Sequence, residues 1–593
     1  METPPATGAF PFSRVRLPLS TEPEPAAPAA PAAPEPREAL REGLVVLALV
    51  ALGLFAYSNA LGGAFVFDDV RQVRENPLVR DLANFLPWRY HGIPGRWVGY
   101  LTFALNYRLG GVAPAGYHLV NVLVHLANGL LLYALVRLAF RTPRLRGSVL
   151  APSARTIAAV AAALFLAHPL QSQAVAYVIQ RLTALATTFY LGAVLLYGAW
   201  RLREERDGRP GGRGAWLALA AVASAVLAMR TKEIAFTVPL AAALWEAAFH
   251  EGPWRPRLAR LAPLLATLPI VPLANLASRG GAGGLADRLS ASTRVDTTLP
   301  RLEYATTQLV VVVRYLGLLA WPAGQNVDPD VPVARSLLDP RAAASAAVLL
   351  ALAALATFLW RRAGRTDPRA LDPAARLAAF GIGWFFVALL VESSFIPISD
   401  LMYEHRAYLP SAGLAAAVAV GLAARVRRIP GVPAARVTAL AGALVAVVLA
   451  VATLARNEVW ADDLSLWSDA ALKSPSKPRP FVNLGTALTL SGRRELGIRA
   501  LRQAVVLDPS STYARAQLAA ALLTAGRTVE AEAELRDVLR LAPGDPEALF
   551  NLATLLWSTG RREEARDLYA RFAERAPAGY AEARRVAAAR AAR

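Results

Sequence analysis

From its first apolar run to about residue 455 the chain alternates long hydrophobic stretches with short polar connectors. Beyond that point the rhythm changes. Apolar runs lie at 44–61, 116–140, 154–170, 172–200, 214–230, 234–250, 258–277, 303–321, 341–360, 375–392, 408–424 and 435–455. At roughly 17–29 residues each is long enough to cross a bilayer as a helix. Arginines collect between them at 141–155 (Arg141, Arg144, Arg146, Arg155), 201–213 (Arg201, Arg203, Arg206, Arg209, Arg213), 255–260, 361–376 and 425–436. With every cluster on one side, the cytoplasmic one by the positive-inside rule, the first seven runs alternate and the N-terminus is inside. Run 303–321 breaks the alternation and carries Arg314 near its centre, at a cost of about 2.5–3.5 kcal/mol on insertion. It is expected to be a re-entrant or juxtamembrane helix on the outer side. That leaves eleven spans and places residues 456–593 outside.

The last stretch repeats every 34 residues: Gly492, Gly526 and Gly560; Pro509, Pro543 and Pro577; Leu484, Leu518 and Leu552; Leu501, Leu535 and Tyr569. A glycine turn between two helices, with a proline closing the second, is the tetratricopeptide pattern. Trp467, Ala470 and Pro475 add half a repeat upstream. Such units stack into an α-solenoid with a concave groove suited to extended peptides.

Composition agrees. The chain is 55% hydrophobic and 18% charged, more apolar and less charged than soluble domains of about 45–50% and 25%. A net charge of +20 would suggest nucleic acid in a soluble chain, but here many of the arginines sit in membrane-flanking loops, so no nucleic-acid partner is expected. Residues 1–41 are rich in Pro, Ala and Glu and read as a disordered tail. A leader of roughly forty residues is too long for the n-region of a signal peptide, so 44–61 is expected to be a retained span. The absence of cysteine excludes disulfides, thiolate metal sites and a cysteine nucleophile. The expected architecture is all-α: a disordered cytoplasmic tail (1–41), a polytopic membrane helical bundle (42–455, with an outer loop at 62–115) and a repeat domain (456–593).

Candidate chemistry gathers at the outer ends of the runs. AFVFDDVRQVRENP places Asp68 and Asp69 side by side just after the first run, a pair suited to a general base with a tuning neighbour or to metal ligation. GYHLVNVLVH sets His118, Asn121 and His125 on one helical face. AHPLQSQAVAYVIQR contributes His168, Gln171, Gln173 and Arg181; RTKEIA contributes Lys232 and Glu233; SSFIPISDLMYEHRAYLPS contributes Asp400, Glu404, His405 and Arg406. Each group alone reads equally as a packing or interfacial residue. Together they open on one side, and ionisable groups near membrane depth are expensive enough to mark function. Arg and Lys would hold an anionic lipid headgroup while a carboxylate activates an acceptor.

FVFDD, GYHLVN, HPLQSQAV with Arg181, the Lys232–Glu233 pair, EHRAYLPS and the trailing repeats together resemble the transmembrane and tetratricopeptide-repeat O-mannosyltransferases of the GT-C superfamily, as a bacterial relative. The resemblance spans roughly residues 44–580. It implies a GT-C-like bundle that transfers a mannose-like sugar, with inversion, from a polyprenyl-phosphate donor to a protein hydroxyl. The catalytic carboxylates would be Asp68 and Asp69, with Asp68 as the base. The donor phosphate would engage Arg406, His405, Lys232, His168 and Arg181. Glu404, Glu233, His118 and Asn121 would line the substrate site. Gln173 stands where such enzymes often have Glu, which removes a charge there. No cofactor is required, although a divalent metal could serve. The lipid bilayer and a protein or peptide acceptor in the repeat groove are the expected partners, and the bacterial inner membrane the expected location. A transferase acting on a surface polysaccharide or lipid, or a non-catalytic scaffold recruiting envelope proteins, are the alternatives.

Overall fold

The computed structural model describes residues 3, 36–86, 88–207, 214–278, 297, 299–364 and 372–592. Most of the expected N-terminal tail lies outside the described residues. From Pro36 onward the chain is already helical, since proline suits the first helical turn. In chain order the helices are α1 (Pro36–Ala56), α2 (Trp97–Gly110), α3 (Pro114–Ala139), α4 (Ala154–Ala167), α5 (Ser172–Val175), α6 (Arg181–Asp207), α7 (Ala215–Met229), α8 (Val238–Phe249), α9 (Trp254–Leu265) and α10 (Ile270–Ser278). There follow α11 (Arg301–Ala320), α12 (Pro340–Arg362), α13 (Ala375–Leu389), α14 (Tyr408–Val426) and α15 (Ala434–Val459). The remainder, α16 (Asp463–Lys473) to α23 (Ala581–Ala591), is a row of paired short helices. No strand occurs among the described residues.

Every expected apolar run is helical, but the runs are not all of spanning length. Eight described helices are long and apolar enough to cross a membrane, or nine with the bent segment 151–175 taken as one, against eleven expected. The nine include α11, which the expected eleven leave out, so three expected runs fall short: α7, α8 and α13, of 15, 12 and 15 residues, which rise only about 18–22 Å against a hydrocarbon core of about 30 Å. The chain is an integral membrane protein of the all-helical class.

The helix ends sort onto two faces. On one, the arginine clusters meet acidic partners: Arg201 and Arg257 converge on Glu246 at 3.1 and 3.2 Å, Arg260 reaches Glu204 at 2.7 Å, and Val149 N–H donates to Asp372 at 2.9 Å. On the opposite face lie the loops after α1, α4, α7 and α13 and the entry to the repeats. There Ala64 bonds to Ala461, Val98 to Arg230, and Gln173 to His405. Between the faces α13 and α14 touch backbone to backbone. A Cβ on Gly381 would stand 2.2 Å from Gly413 O, so only small residues permit this crossing.

α11 passes the length test, yet its sideways bonds all end on loops of the second face. Tyr304 and Tyr315 donate to the carbonyls of Glu392 and Tyr403, Gln308 to that of Leu401, and the Leu319 carbonyl meets His168. α11 is thus tied at both ends to loops of that face.

The repeat helices form their own core around Leu501, Leu518, Leu535, Leu552 and Tyr569, the 34-residue positions. Gly492, Gly526 and Gly560 have φ of +82°, +75° and +84°, the left-handed turn that ends the first helix of each pair.

Candidate functional site

The two adjacent carboxylates are built for different tasks. Asp69 is fully buried and accepts three backbone N–H groups: Val66 at 3.3 Å, Val178 at 3.2 Å and Ile179 at 2.7 Å. It ties the first loop to the start of α6. Burial pushes its carboxyl well above the usual range, against those three bonds. Asp68 stays partly exposed. Its N–H donates to Tyr177 Oη at 3.2 Å, and that hydroxyl also bonds its carboxylate. Burial raises Asp68, opposed by Tyr177 and by the charges of Arg479 and Arg71, while Asp400 raises it further. A carboxylate with a raised proton affinity and one face open can take a proton.

Beside Asp68 the loop continues as a wide helical turn, Val70–Arg74, which presents Gln72 to the Tyr100 hydroxyl at 2.8 Å. Gln72 and Tyr100 form part of the wall of an open cavity of about 850 Å³, lined also by Asn76, Arg89, Tyr90 and His91. Tyr100 also feels the charges of Asp68, Arg96 and Glu233. The cavity wall at Tyr100 thus stands within electrostatic reach of Asp68 and of Arg96, one of a group of cations.

Those cations are Lys232, Arg96 and Arg406, all of which act electrostatically on the His405 ring. Lys232 Nζ sits 3.0 Å from Glu392 and donates to Thr183 at 2.9 Å; burial lowers its proton affinity and Glu392 opposes this. Arg96 forks onto Glu233 at 3.2 and 3.3 Å. Arg406 donates to the carbonyls of Leu401 and Asp400 at 3.2 and 2.8 Å and lies 5.7 Å from the Tyr403 ring centre. Its buried Nε has no protein partner, and neither do His405 Nδ1 and Gln173 Nε2. Open donors among cations suit an anion with several oxygens.

The remaining expected residues are framework. Arg181 is fully buried and spends its donors on Asn121 (2.7 Å), Asn106 (2.5 Å) and the Thr102 and Tyr117 carbonyls (3.3 and 2.9 Å). The amide of Asn121 donates to Val175 and Val178. His168 joins the Leu319 carbonyl to the Leu170 amide, and His118 packs against Gly63. Glu404 holds Gln325 and Asn326 at 3.0 and 2.6 Å. The structure thus brings together Asp68, Lys232, Glu233, His405 and Arg406. It keeps Asp69, His118, Asn121, His168, Arg181 and Glu404 behind them.

Sequence reasoning missed Arg96, Glu392, Tyr177, Tyr403 and Arg479. Glu392 directly precedes the motif that was singled out, and Arg96 stands just before α2 within the stretch expected as an outer loop. Arg479 had no local signal, since it stands between two prolines at the head of a repeat helix. Among the described residues no three His, Asp or Glu side chains gather as a metal site requires.

Comparison with known proteins came to the same place as the motifs. The tetratricopeptide repeat family matches residues 483–546 and 522–592. The chain is 27% identical to protein O-mannosyl-transferase Tmtc3 of Drosophila melanogaster over 553 residues, covering 82% of this chain and 58% of the relative. It is 27% identical to Tmtc1 of the same fly over 545 residues, covering 77% and 60%. Over a shorter stretch of 213 residues it is 35% identical to the fly Tmtc2, covering 33% of this chain and 21% of the relative. The chain spans about three fifths of the length of the first two relatives. The C-terminal helices are tetratricopeptide repeats, and the resemblance drawn from the motifs holds.

Proposed function

We propose that this protein is a membrane glycosyltransferase of GT-C type that moves a mannose-like sugar from a polyprenyl-phosphate donor to a protein hydroxyl. The single observation that carries the reading is the partly exposed Asp68, in electrostatic reach of the cavity-wall residue Tyr100, with Lys232, Arg96 and Arg406 gathered around His405. The names of the most similar relatives support it. The acceptor oxygen attacks the anomeric carbon as its proton passes to Asp68. The bond from that carbon to the phosphate oxygen breaks, and the electron pair leaves with the lipid phosphate. Arg406, with Lys232 and Arg96, offsets the charge growing there. Inversion follows from a single displacement. The transfer needs no cofactor as written, so activity should persist in a metal chelator.

In this reading the face that carries Asp68 and the repeats is the outer, periplasmic side of a bacterial inner membrane, and the arginine face and N-terminus are cytoplasmic. Eleven passes cross, the short α7, α8 and α13 being completed by the turns that flank them, with α11 lying along the outer face. The repeats hold the acceptor. Glycoproteomics and glycolipid profiling of a deletion strain against wild type test the reading. Loss of hexose from envelope proteins is the expected result. Loss from a polysaccharide or lipid alone would move the acceptor class, and no change in any glycan would leave only a scaffold.

A further inference from the structure

The turn that carries Asp68 is held from outside the membrane bundle. Phe67, immediately before it, has φ of +51° and is the one non-glycine in the left-handed region among the described residues. A bulky residue persists there only where its surroundings over-determine it. Three contacts of the loop come from the segment that opens the repeat domain. Phe67 N–H donates to Asp463 Oδ1 at 3.0 Å, the Phe67 ring meets Trp467 edge-on at 5.0 Å, and Ala64 N–H donates to the Ala461 carbonyl at 2.8 Å. Trp460 in turn stacks at 5.4 Å on Tyr177, the tyrosine bonded to Asp68.

A second tie follows one helix later. Arg479 forks onto Asp328 at 2.6 Å from both Nε and Nη2, and Nη2 also reaches Asp400 at 2.7 Å. Lys477 joins the same Asp328 carboxylate. The Arg479 guanidinium thus stands over the loop that carries Asp400 and Tyr403, close enough for its charge to act on Asp68.

From these contacts we propose that residues 460–479 of the repeat domain are the positioning element for the catalytic base. Asp463 acts through the strained Phe67 to aim the Asp68 carboxylate, and Arg479 supplies the positive charge beside it. The proposal rests on the reading of Asp68 as base. It gives the repeats a part in the chemical step as well as in holding the acceptor. Asp463 and Arg479 matter with an acceptor too short to reach the groove, because what they place is the base. Were the repeats only a docking arm, damage to Asp463 would weaken acceptor binding and leave turnover alone.

The test uses the full-length protein in detergent with a short hydroxyl peptide and polyprenyl-phosphate mannose. Asp463→Ala removes the acceptor for Phe67 N–H, whereas Asp463→Asn keeps an oxygen there. The alanine variant should lose about tenfold to hundredfold in kcat, the scale of a small misplacement of a reacting group, with KM values within about twofold. The asparagine variant should recover most of that loss. Hydrogen exchange should show amides at 64–70 deprotected in Asp463→Ala and protected in Asp463→Asn, with the helices from 494 onward unchanged in both. In Arg479→Gln the acid limb of kcat should move to higher pH, because a carboxylate without its neighbouring cation protonates more readily. Unchanged exchange at 64–70 in Asp463→Ala, a rise in acceptor KM with kcat intact, or equal loss in both Asp463 variants would each overturn the proposal. Absence of transfer by wild type would instead fault the sugar-transfer reading, while the exchange arm still decides whether the repeats hold the loop.

Discussion

Two neighbouring aspartates on one turn point to opposite sides of it, and that divides their work. Asp69 Oδ2 serves two backbone amides and Oδ1 a third. In Asp69→Asn the amide nitrogen would face a backbone N–H, leaving a buried donor without a partner at about 1–3 kcal/mol. That variant should melt earlier. Asp68→Asn should melt with wild type, because its carboxylate supports no backbone group beyond its own turn. The pair was legible in the sequence, but its division of labour was not, since it depends on amides more than a hundred positions away. The same holds for Arg181, which reads as a phosphate ligand in isolation and is sealed among asparagines and carbonyls. Asp68 also sets a pH dependence. Burial raises its proton affinity, and a base works only when deprotonated. Activity should therefore fall on acidification at a pH above the ordinary aspartate range, as read from kcat against pH. Arg406→Lys should retain more transfer than Arg406→Ala, since lysine keeps the charge and loses the planar fork.

Helices were the most readable level. Apolar runs and the 34-residue period placed the elements, because burial in lipid and stacking of repeats both write their periods into composition. What the period cannot give is the direction of a helix relative to the membrane. α11 has the length and apolarity of a span, and what sets it apart is that its bonds run to loops of one face. Reporter fusions after residues 210 and 370 should report the cytoplasm and one after residue 590 the outside; a cytoplasmic repeat domain would contradict both α11 along the face and the eleven passes. Residues 462–593 made alone should be soluble and helical by circular dichroism, because the repeats bury their own core. Within that fragment Gly526→Val should cost about 1–2 kcal/mol in urea unfolding. The space around Gly526 is open, but its φ of +75° disfavours a β-branched side chain.

Across the whole molecule, charge divides the two faces. Arginine and glutamate pairs lock the ends of α6, α8 and α9 on one side. On the other, Lys232, Arg96 and Arg406 gather around His405, and the segment that opens the repeats bonds the loop that carries Asp68. Motif order pointed to this clustering, since every motif falls after an odd-numbered expected span or at the start of an even-numbered one, with 303–321 left out of the count. The docking of the repeats could not be read, because Asp328, Asp463 and Arg479 lie in three segments with no shared pattern. Asp328 belongs to the seam between the parts. Burial raises it, but the bonds and charges of Arg479 and Lys477 outweigh burial and hold its carboxyl below the usual range. Its contribution is therefore present above the unfolded aspartate value and lost as pH falls through the lowered one. The central claim, that Asp68 is the base of a lipid-linked sugar transfer, meets its most direct test in one assay. Purified protein in detergent is given polyprenyl-phosphate mannose and a hydroxyl peptide, and transfer by wild type is compared with Asp68→Asn of equal folding. The account predicts transfer by wild type and a loss of about 10²–10⁴-fold in the variant. Undiminished transfer by Asp68→Asn would contradict it.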